Sequence, residues 1–148
     1  MMNRSLPTLL LALCLGPALA LAPNAAPAAE LAVIVSARSN ISMLSADQVA
    51  EIFLFQTNRF PNGNEVVPID QDLGSPLRNE FYSKVTHRTP ALVKAHWARL
   101  IFTGRGQPPA EVDGNAAMRR MIAENPGMIG YVERTALDSS VRAVLIVP

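Results

Sequence analysis

The residues best suited to chemistry lie in one short stretch, "QDLGSPLR", which runs from Gln71 to Arg78. We expect a β-strand to lead through Gly74 and Ser75 into a helix that begins at Pro76. The first turn of a helix leaves up to about four backbone N–H groups without a partner, with the positive end of the helix dipole behind them. Ser75 would add a hydroxyl, Arg78 a charged donor and Gln71 a neutral one. This arrangement predicts an oxyanion site.

The same stretch also fits a purely structural role. Serine is a favoured N-cap residue, and proline is favoured at the first helical position. In that interpretation Ser75 caps the helix, Gly74 belongs to a turn and Arg78 lies in solvent. Pro76 also lacks the N–H group that an anion would use. The residues by themselves leave the anion site and the plain helix start both open.

The rest of the chain shows no pattern typical of catalysis. His87 falls in a predicted turn and His96 on a predicted helix, without a second ligand at regular spacing, so we expect neither a metal ion nor another cofactor. Asp70 and Asp72, at a strand end, are expected to be solvated or capping, and no histidine and acid are arranged around a nucleophile. Arg105, between glycines in "TGRG", is expected to be a solvated loop residue. We therefore predict that the protein is not an enzyme.

The start of the chain is typical of a secretory leader. Arg4 precedes the apolar run "LPTLLLALCLGPALALA", and a stretch rich in small residues follows it. We predict a signal peptide over residues 1–29, cut near Ala28 or Ala29 with Ala20 as a second candidate, and hence a periplasmic protein. A spanning helix needs about 20 apolar residues. Because the run is short and broken by proline and glycine, no stable membrane insertion is expected after cleavage.

Residues 30–148 are enough for one compact domain. The chain has 13 Lys and Arg against 12 Asp and Glu. Loss of Arg4 with the leader would make these equal, so no long-range field would attract nucleic acid. The single cysteine, Cys14, lies in the leader, which leaves no thiol or disulfide to the domain.

Apolar patterning predicts an α/β domain. The run "ELAVIVSA" is typical of a strand buried on both faces, and Ser45 with Gln48 forms a capping-box pattern. Pro68 indicates an edge position or a strand end, while Trp97 and Tyr131 are expected to pack in or near the core. Strands alternating with helices favour a mixed sheet covered by helices over a helical bundle or a β-sandwich. In chain order we predict a strand from residue 30, a helix over 46–55, a strand over 65–70, helices from 76 and 90, a helix over 115–125, and strands over 128–132 and 141–147.

Four stretches, taken together and in order, resemble the PstS-like family of substrate-binding proteins of phosphate ABC transporters. They are "LSADQVAEIFLFQTNRFPNG", "VPIDQDLGSPLRNEFYSKV", a tryptophan-bearing helix ending in "FTGRG", and "MIAENPGMIGYV". The resemblance covers about residues 31–147. That family folds as two α/β lobes, the type II periplasmic-binding-protein fold, which close on the anion. This chain is long enough for one of them, so the resemblance implies a single lobe, residues 30–148.

The resemblance also carries the family's anion ligands onto Gly74, Ser75 and Arg78. Gln71 stands where the family commonly has an arginine, and Ser75 is followed by proline and leucine where the family commonly has glycine and threonine. These changes remove a guanidinium, a backbone donor and a hydroxyl. Because charge-assisted hydrogen bonds are about twice as strong as neutral ones, the implied site binds phosphate or a similar oxyanion weakly.

Two functions follow from these observations. The first is a periplasmic protein that binds or senses an oxyanion and delivers or reports it to an inner-membrane partner. The second is an adaptor or accessory subunit of a cell-envelope assembly that has lost ligand binding and uses the same edge for protein contact.

Overall fold

The computed structural model describes residues 29–148, and the predicted signal peptide lies outside this range except for Ala29. Its regular elements comprise five strands, four α-helices, one π-helical segment and one 3-10 turn. In chain order they are β1 (Leu31–Ser36), α1 (Ala46–Phe53), β2 (Val67–Gln71), α2 (Pro76–Phe81), the π-helical segment (Tyr82–Thr86), α3 (Pro90–Phe102), β3 (Ala110–Val112), α4 (Gly114–Glu124), β4 (Met128–Glu133), the 3-10 turn (Arg134–Ala136) and β5 (Val141–Val147).

The strands form one mixed sheet in the order β3-β2-β4-β1-β5. β1 runs antiparallel to both of its neighbours, β4 and β5. β2 runs parallel to both β3 and β4. All six residues of β1 are buried, as its uninterrupted apolar run predicts for a strand covered on both faces. The predicted class, a mixed sheet covered by helices, is confirmed.

Two apolar clusters cover the two faces of this sheet. The larger contains Val33 and Val35 of β1 together with residues of α1, α2 and α3, and the predicted core residues Trp97 and Tyr131 belong to it. The smaller packs α4 against the opposite face, through Met118 among others. The domain therefore has helices on both sides of the sheet.

Side chains cap two of the helices, and the cap at α1 is the predicted one. Ser45 Oγ accepts from Gln48 N at 3.2 Å, and Gln48 Oε1 accepts from Ser45 N at 2.9 Å, which completes a capping box at α1. Thr89 Oγ1 accepts from Leu92 N at 3.3 Å at the start of α3. These bonds use N–H groups that a helix start otherwise leaves without partners.

The structure differs from the sequence prediction at several element boundaries. α1 ends at Phe53, because Phe55 has a left-handed φ of 57°. β3 lies between two predicted helices, where no strand was predicted, because three largely exposed residues are too short to show a strand pattern. Of the two positions predicted for Pro68, the strand end is the observed one: β2 is not an edge strand, and Pro68 is its second residue, before the pairing with β3 begins at Ile69. Within residues 29–148, no helix has the length and apolarity needed to cross a bilayer.

Candidate functional site

The candidate site lies at one edge of the sheet. Because β2 and β3 are parallel, their carboxyl ends share this edge. α2 begins shortly after β2, and α4 begins directly after β3, so two helix N-termini start there. Ligands of open α/β sheets commonly bind outside the carboxyl ends of parallel strands.

The turn between β2 and α2 is held by backbone hydrogen bonds. Ser75 N donates to Asp72 O at 3.0 Å, and Arg78 N donates to Ser75 O at 3.2 Å. Ser75 occupies the N-cap position with Pro76 following, as predicted, but its hydroxyl makes no capping bond. The structural interpretation of Ser75 as a side-chain cap is therefore wrong.

From Gly74 to Leu77, three donors have no protein acceptor within residues 29–148. They are the backbone N–H groups of Gly74 and Leu77 and the hydroxyl of Ser75. Gly74 is exposed and Ser75 is half-buried. These groups form a short series of donors on either side of Pro76, which has no N–H to contribute.

A carboxylate adjoins the same turn. A Cβ atom added to Gly74 would lie 3.5 Å from Asp72 Oδ2, which is an ordinary van der Waals distance. Gly74 also lacks a left-handed φ, so neither conformation nor space requires glycine there. The negative charge of Asp72 weakens the attraction of this turn for an anion.

Arg78 and Gln71, the other two predicted ligands, point into a buried network. Arg78 is 6% exposed and its Nε donates to Asp70 Oδ2 at 3.1 Å. The Gln71 amide donates through Nε2 to Tyr131 O at 3.2 Å. The expectation that Arg78 lies in solvent, made for a plain helix start, is therefore wrong.

Asp70 is the centre of this network. It is 1% exposed rather than solvated, which corrects the sequence expectation. Its Oδ2 accepts from Arg78 Nε and from Tyr82 OH, the latter at 2.8 Å. Its Oδ1 accepts from Gln71 N at 2.9 Å and from the hydroxyl of Tyr131. The Asp70 carboxylate thus accepts from four donors. Without them, burial of its charge would be very unfavourable.

Both tyrosines of the network are held in their neutral form. Burial raises the pKa of the Tyr82 hydroxyl, and the charge of Asp70 raises it further. Burial and then Asp70 likewise raise the pKa of Tyr131. The Phe81 ring stacks on Tyr131 with centroids 3.9 Å apart, which helps to exclude water. Both hydroxyls therefore remain donors to Asp70 well above neutral pH.

Sequence reasoning missed this network. The sequence feature that could have indicated it is Asp70 near the end of an apolar strand, followed by Arg78 and Tyr82. These two residues are four positions apart and therefore lie on one helical face. Tyr131, on a separate strand, could not be linked to Asp70 by local spacing.

The histidines and Arg105 lie elsewhere. His87 is exposed with a left-handed φ of 55°, and His96 lies on α3 with Nε2 2.9 Å from Leu54 O. Arg105 is exposed, as expected. In the part of the chain that the structure describes, no group of three or more His, Cys, Asp or Glu side chains could hold a metal ion.

The mixed sheet, its helices on both faces and the strand-turn-helix edge define one lobe of a periplasmic-binding-protein-like α/β fold. No protein-family model matches the chain, and no curated protein matches it. Solved structures do. One, from Clostridium perfringens, is described as a phosphate ABC transporter substrate-binding protein with bound phosphate; it has 20% identity and a TM-score of 0.63, with 78% of this chain and 45% of that chain covered.

Two further structures give the same result. An ABC-type phosphate transport receptor from Vibrio cholerae has 18% identity and a TM-score of 0.61, and the alignment covers 78% of this chain and 46% of the receptor chain. PstS from Borrelia burgdorferi has 14% identity and a TM-score of 0.59, covering 78% and 47%. This chain therefore spans less than half the length of these proteins. At such identities the similarity shows the fold, and it confirms the single-lobe resemblance seen in the sequence.

Proposed function

We propose that this protein is a secreted, periplasmic, single-lobe solute-binding-like protein that binds or senses phosphate or a similar oxyanion weakly. The ligand site is the donor turn, which we define as Gly74, Ser75 and Leu77. The observation that carries the proposal is that two N–H groups and one hydroxyl of this turn have no protein acceptor within residues 29–148. The phosphate-bound structure with the same fold supports the choice of ligand.

Arg78 directly follows the donor turn in sequence and is the charged residue that we assign to the site. Asp70 and Tyr82 fix its guanidinium, with Arg78 Cζ 5.0 Å from the centroid of the Tyr82 ring. Its two terminal nitrogens donate to no acceptor in the described part of the chain. A guanidinium held in place loses little freedom when it meets an anion. Arg78 is thus a preorganised donor whose charge Asp70 partly offsets.

Three features make the expected binding weak. Pro76 supplies no N–H, and Gln71 uses its amide on the backbone of Tyr131. Asp72 places a carboxylate beside Gly74. A strongly hydrated anion would also be held from one side only, because the chain matches less than half the length of the two-lobed structures. We expect a dissociation constant in the millimolar range, which corresponds to only about −4 kcal/mol.

Calorimetric titration of the purified protein with phosphate, and separately with sulfate, tests this proposal. Ser75→Ala removes the hydroxyl from the donor turn. Ser83→Ala is the matched control, because Ser83 is exposed on the π-helical segment and outside the turn. We expect saturable phosphate binding in the wild-type and Ser83→Ala proteins and at least about tenfold weaker binding in Ser75→Ala. No saturable heat with the wild-type protein would exclude the proposed function.

A second candidate is an adaptor of a cell-envelope assembly, with an inner-membrane or envelope protein as partner. It is favoured by Leu73, which lies in the same turn and is 68% exposed. An exposed leucine beside a helix start is suited to protein contact rather than to anion binding. The engagement of Arg78 by Asp70 is equally consistent with this role.

Cross-linking followed by pull-down from envelope extract separates the two candidates. Leu73→Glu would disrupt an interface at the turn, and Met43→Glu is the control, since Met43 is 80% exposed on another loop. An adaptor predicts a defined partner that Leu73→Glu loses and Met43→Glu retains. Recovery of the same proteins by the wild-type protein, Leu73→Glu and Met43→Glu would exclude an adaptor surface at this edge.

A further inference from the structure

A second candidate site is a cavity of about 450 Å³ against α3. It shares no lining residue with the donor turn. Three arginines line it, Arg88, Arg99 and Arg105, together with His96 and Gln56, and none of its described lining residues is acidic. Sites for small organic ligands commonly occupy roughly 300–1,000 Å³. We call it the arginine cavity.

The arginines of this cavity differ from most others in the domain. The side chains of Arg88, Arg99, Arg105 and Arg120 make no hydrogen bond or ion pair within residues 29–148, and three of these four line the arginine cavity. The remaining described arginines all donate to protein acceptors: Arg38, Arg59, Arg78, Arg119, Arg134 and Arg142. Like charges gathered without a counter-charge repel one another, so an anion bound among them would be stabilised.

The fold fixes where Arg105 lies. Gly104 has a left-handed φ of 67° after the end of α3, and its N–H donates to Ile101 O at 3.1 Å. Arg105 N donates to Leu100 O at 2.9 Å. These two bonds form a Schellman motif, which closes the helix and sets the following residue in a defined position. Arg105 is thus a positioned residue at the end of the helix that carries Arg99.

Two unusual backbone conformations precede two other residues of the cavity. Phe55 and His87 are the non-glycine residues with left-handed φ in the described part of the chain, at 57° and 55°. Gln56 follows the first and Arg88 follows the second, and both line the cavity. Left-handed φ is unfavourable for bulky residues, and such conformations concentrate at ligand sites.

His96 adds an oriented polar group. Its Nε2 lies 2.9 Å from Leu54 O, and because a carbonyl oxygen only accepts, Nε2 carries a proton. The ring is therefore fixed, with Nδ1 as its other polar atom. Leu92, Ala95 and Leu100 supply apolar wall between the basic groups. The cavity thus combines several cationic donors with apolar surface that can pack against a carbon skeleton.

We propose that the arginine cavity binds a small organic molecule that carries at least two anionic groups, a phosphate ester or a polycarboxylate. Arginine forks pair with both kinds of group. The basic residues come from three places: Arg99 from α3, Arg105 from the loop after it and Arg88 from the segment before it. Basic groups distributed in this way suit a ligand with several anionic groups better than a ligand with one. The leucine and alanine wall suits a carbon skeleton, and the volume accommodates one. This inference does not depend on the proposed function of the donor turn.

Calorimetric titration with fructose 1,6-bisphosphate and with citrate tests the proposal and distinguishes the two chemical sources. The variants are Arg99→Ala and Arg105→Ala, both at exposed positions, so folding should be retained. Arg120→Ala is the matched control, an exposed arginine on α4 that lies outside the cavity. Ser75→Ala reports any binding at the donor turn instead.

We expect saturable binding of at least one probe and weakening of about tenfold or more in Arg99→Ala and in Arg105→Ala. Arg120→Ala should bind like the wild-type protein, and Ser75→Ala should keep the binding that Arg99→Ala and Arg105→Ala lose. Binding of the bisphosphate alone would assign a phosphate ester, and binding of citrate alone a polycarboxylate. No saturable binding of either probe would overturn the proposal, as would equal weakening in Arg99→Ala and Arg120→Ala. Loss in Ser75→Ala would place the ligand at the donor turn and would overturn it too.

Discussion

Arg78 Nε donates to Asp70 Oδ2 at 3.1 Å, and both side chains are almost fully buried. This pair joins the end of β2 to α2, the two elements that the turn at residues 72–75 connects. A predicted anion ligand is therefore also a structural element of the fold. Removing Arg78 would leave the charge of Asp70 buried and unpaired, so loss of anion binding in an arginine variant would not by itself identify a ligand.

Asp70→Asn should destabilise the domain by about 3–5 kcal/mol. The amide cannot accept from all four donors, and Arg78 loses its counter-charge. Urea unfolding followed by circular dichroism measures the change. Asp113→Asn is the control, because Asp113 is exposed and makes no side-chain cap bond at α4. It should remain within about 0.5 kcal/mol of wild type, and an equally small effect of Asp70→Asn would contradict the buried network.

Stability should fall steeply above about pH 10. Burial and Asp70 raise the pKa of both Tyr82 and Tyr131 in the folded state, so the folded protein retains protons that the unfolded chain loses. The corresponding stability is complete below the ordinary tyrosine pKa of about 10 and is lost as pH rises beyond it, by about 1.4 kcal/mol per pH unit for each group.

Urea titrations between pH 8 and pH 11 measure this slope. The chain has two tyrosines, both buried, so tyrosinate absorbance near 295 nm should stay low until the protein unfolds. Tyr82→Phe should remove about half of the slope. Ionisation of either tyrosine near pH 10 in the folded protein would show that the hydroxyls are not held by Asp70.

Two serines at helix starts should respond differently to alanine. Ser45 caps α1 through its hydroxyl, so Ser45→Ala should cost about 1 kcal/mol. Ser75 makes no capping bond, so Ser75→Ala should change stability by less than about 0.5 kcal/mol. Thermal or urea unfolding of both variants measures the difference. A loss of 1 kcal/mol or more in Ser75→Ala would mean that its hydroxyl caps α2 after all, and its use by an anion would lose support.

Gly130 permits close packing of α4 on β4. A Cβ at this position would collide with Met118 Sδ and lie 3.1 Å from Ile122 Cγ1. Gly130→Ala should therefore cost about 1–3 kcal/mol through overpacking. Combining it with Met118→Ala should show favourable coupling in a double-mutant cycle measured by urea unfolding. Strict additivity would indicate that α4 does not approach β4 at this point.

The fold was largely predictable because its signals are local. The apolar run of β1, the Ser45 capping box and the Ser75-Pro76 helix start each depend on a few consecutive residues. β3 was missed because its three residues, two of them exposed, carry no pattern and are held by pairing with β2. Local residue patterns therefore predict most of the helices and strands. The short strand β3 depends on pairing with a neighbouring strand, which local patterns do not show.

The site was less predictable. The position of the donor turn followed from the Gly-Ser-Pro sequence, but the burial of Asp70 did not. Asp70 is retained in the core by Tyr82 and by Tyr131, and the latter is 61 positions away in sequence. Contacts of that length depend on the sheet order. The convergence of Arg88, Arg99 and Arg105 depends instead on the backbone conformations before and after α3, at His87 and Gly104, which the sequence did not predict.

Phosphate titration followed by ¹H–¹⁵N correlation spectra tests the central claim most directly, because it reports on each N–H group separately. We predict saturable downfield shifts of the Gly74 and Leu77 amides, and a smaller change at Ser75 N–H, which already donates to Asp72 O. Ser75→Ala should weaken these shifts. Spectra without saturable change at Gly74 and Leu77, or with changes confined to residues of the arginine cavity, would contradict an oxyanion site at the donor turn.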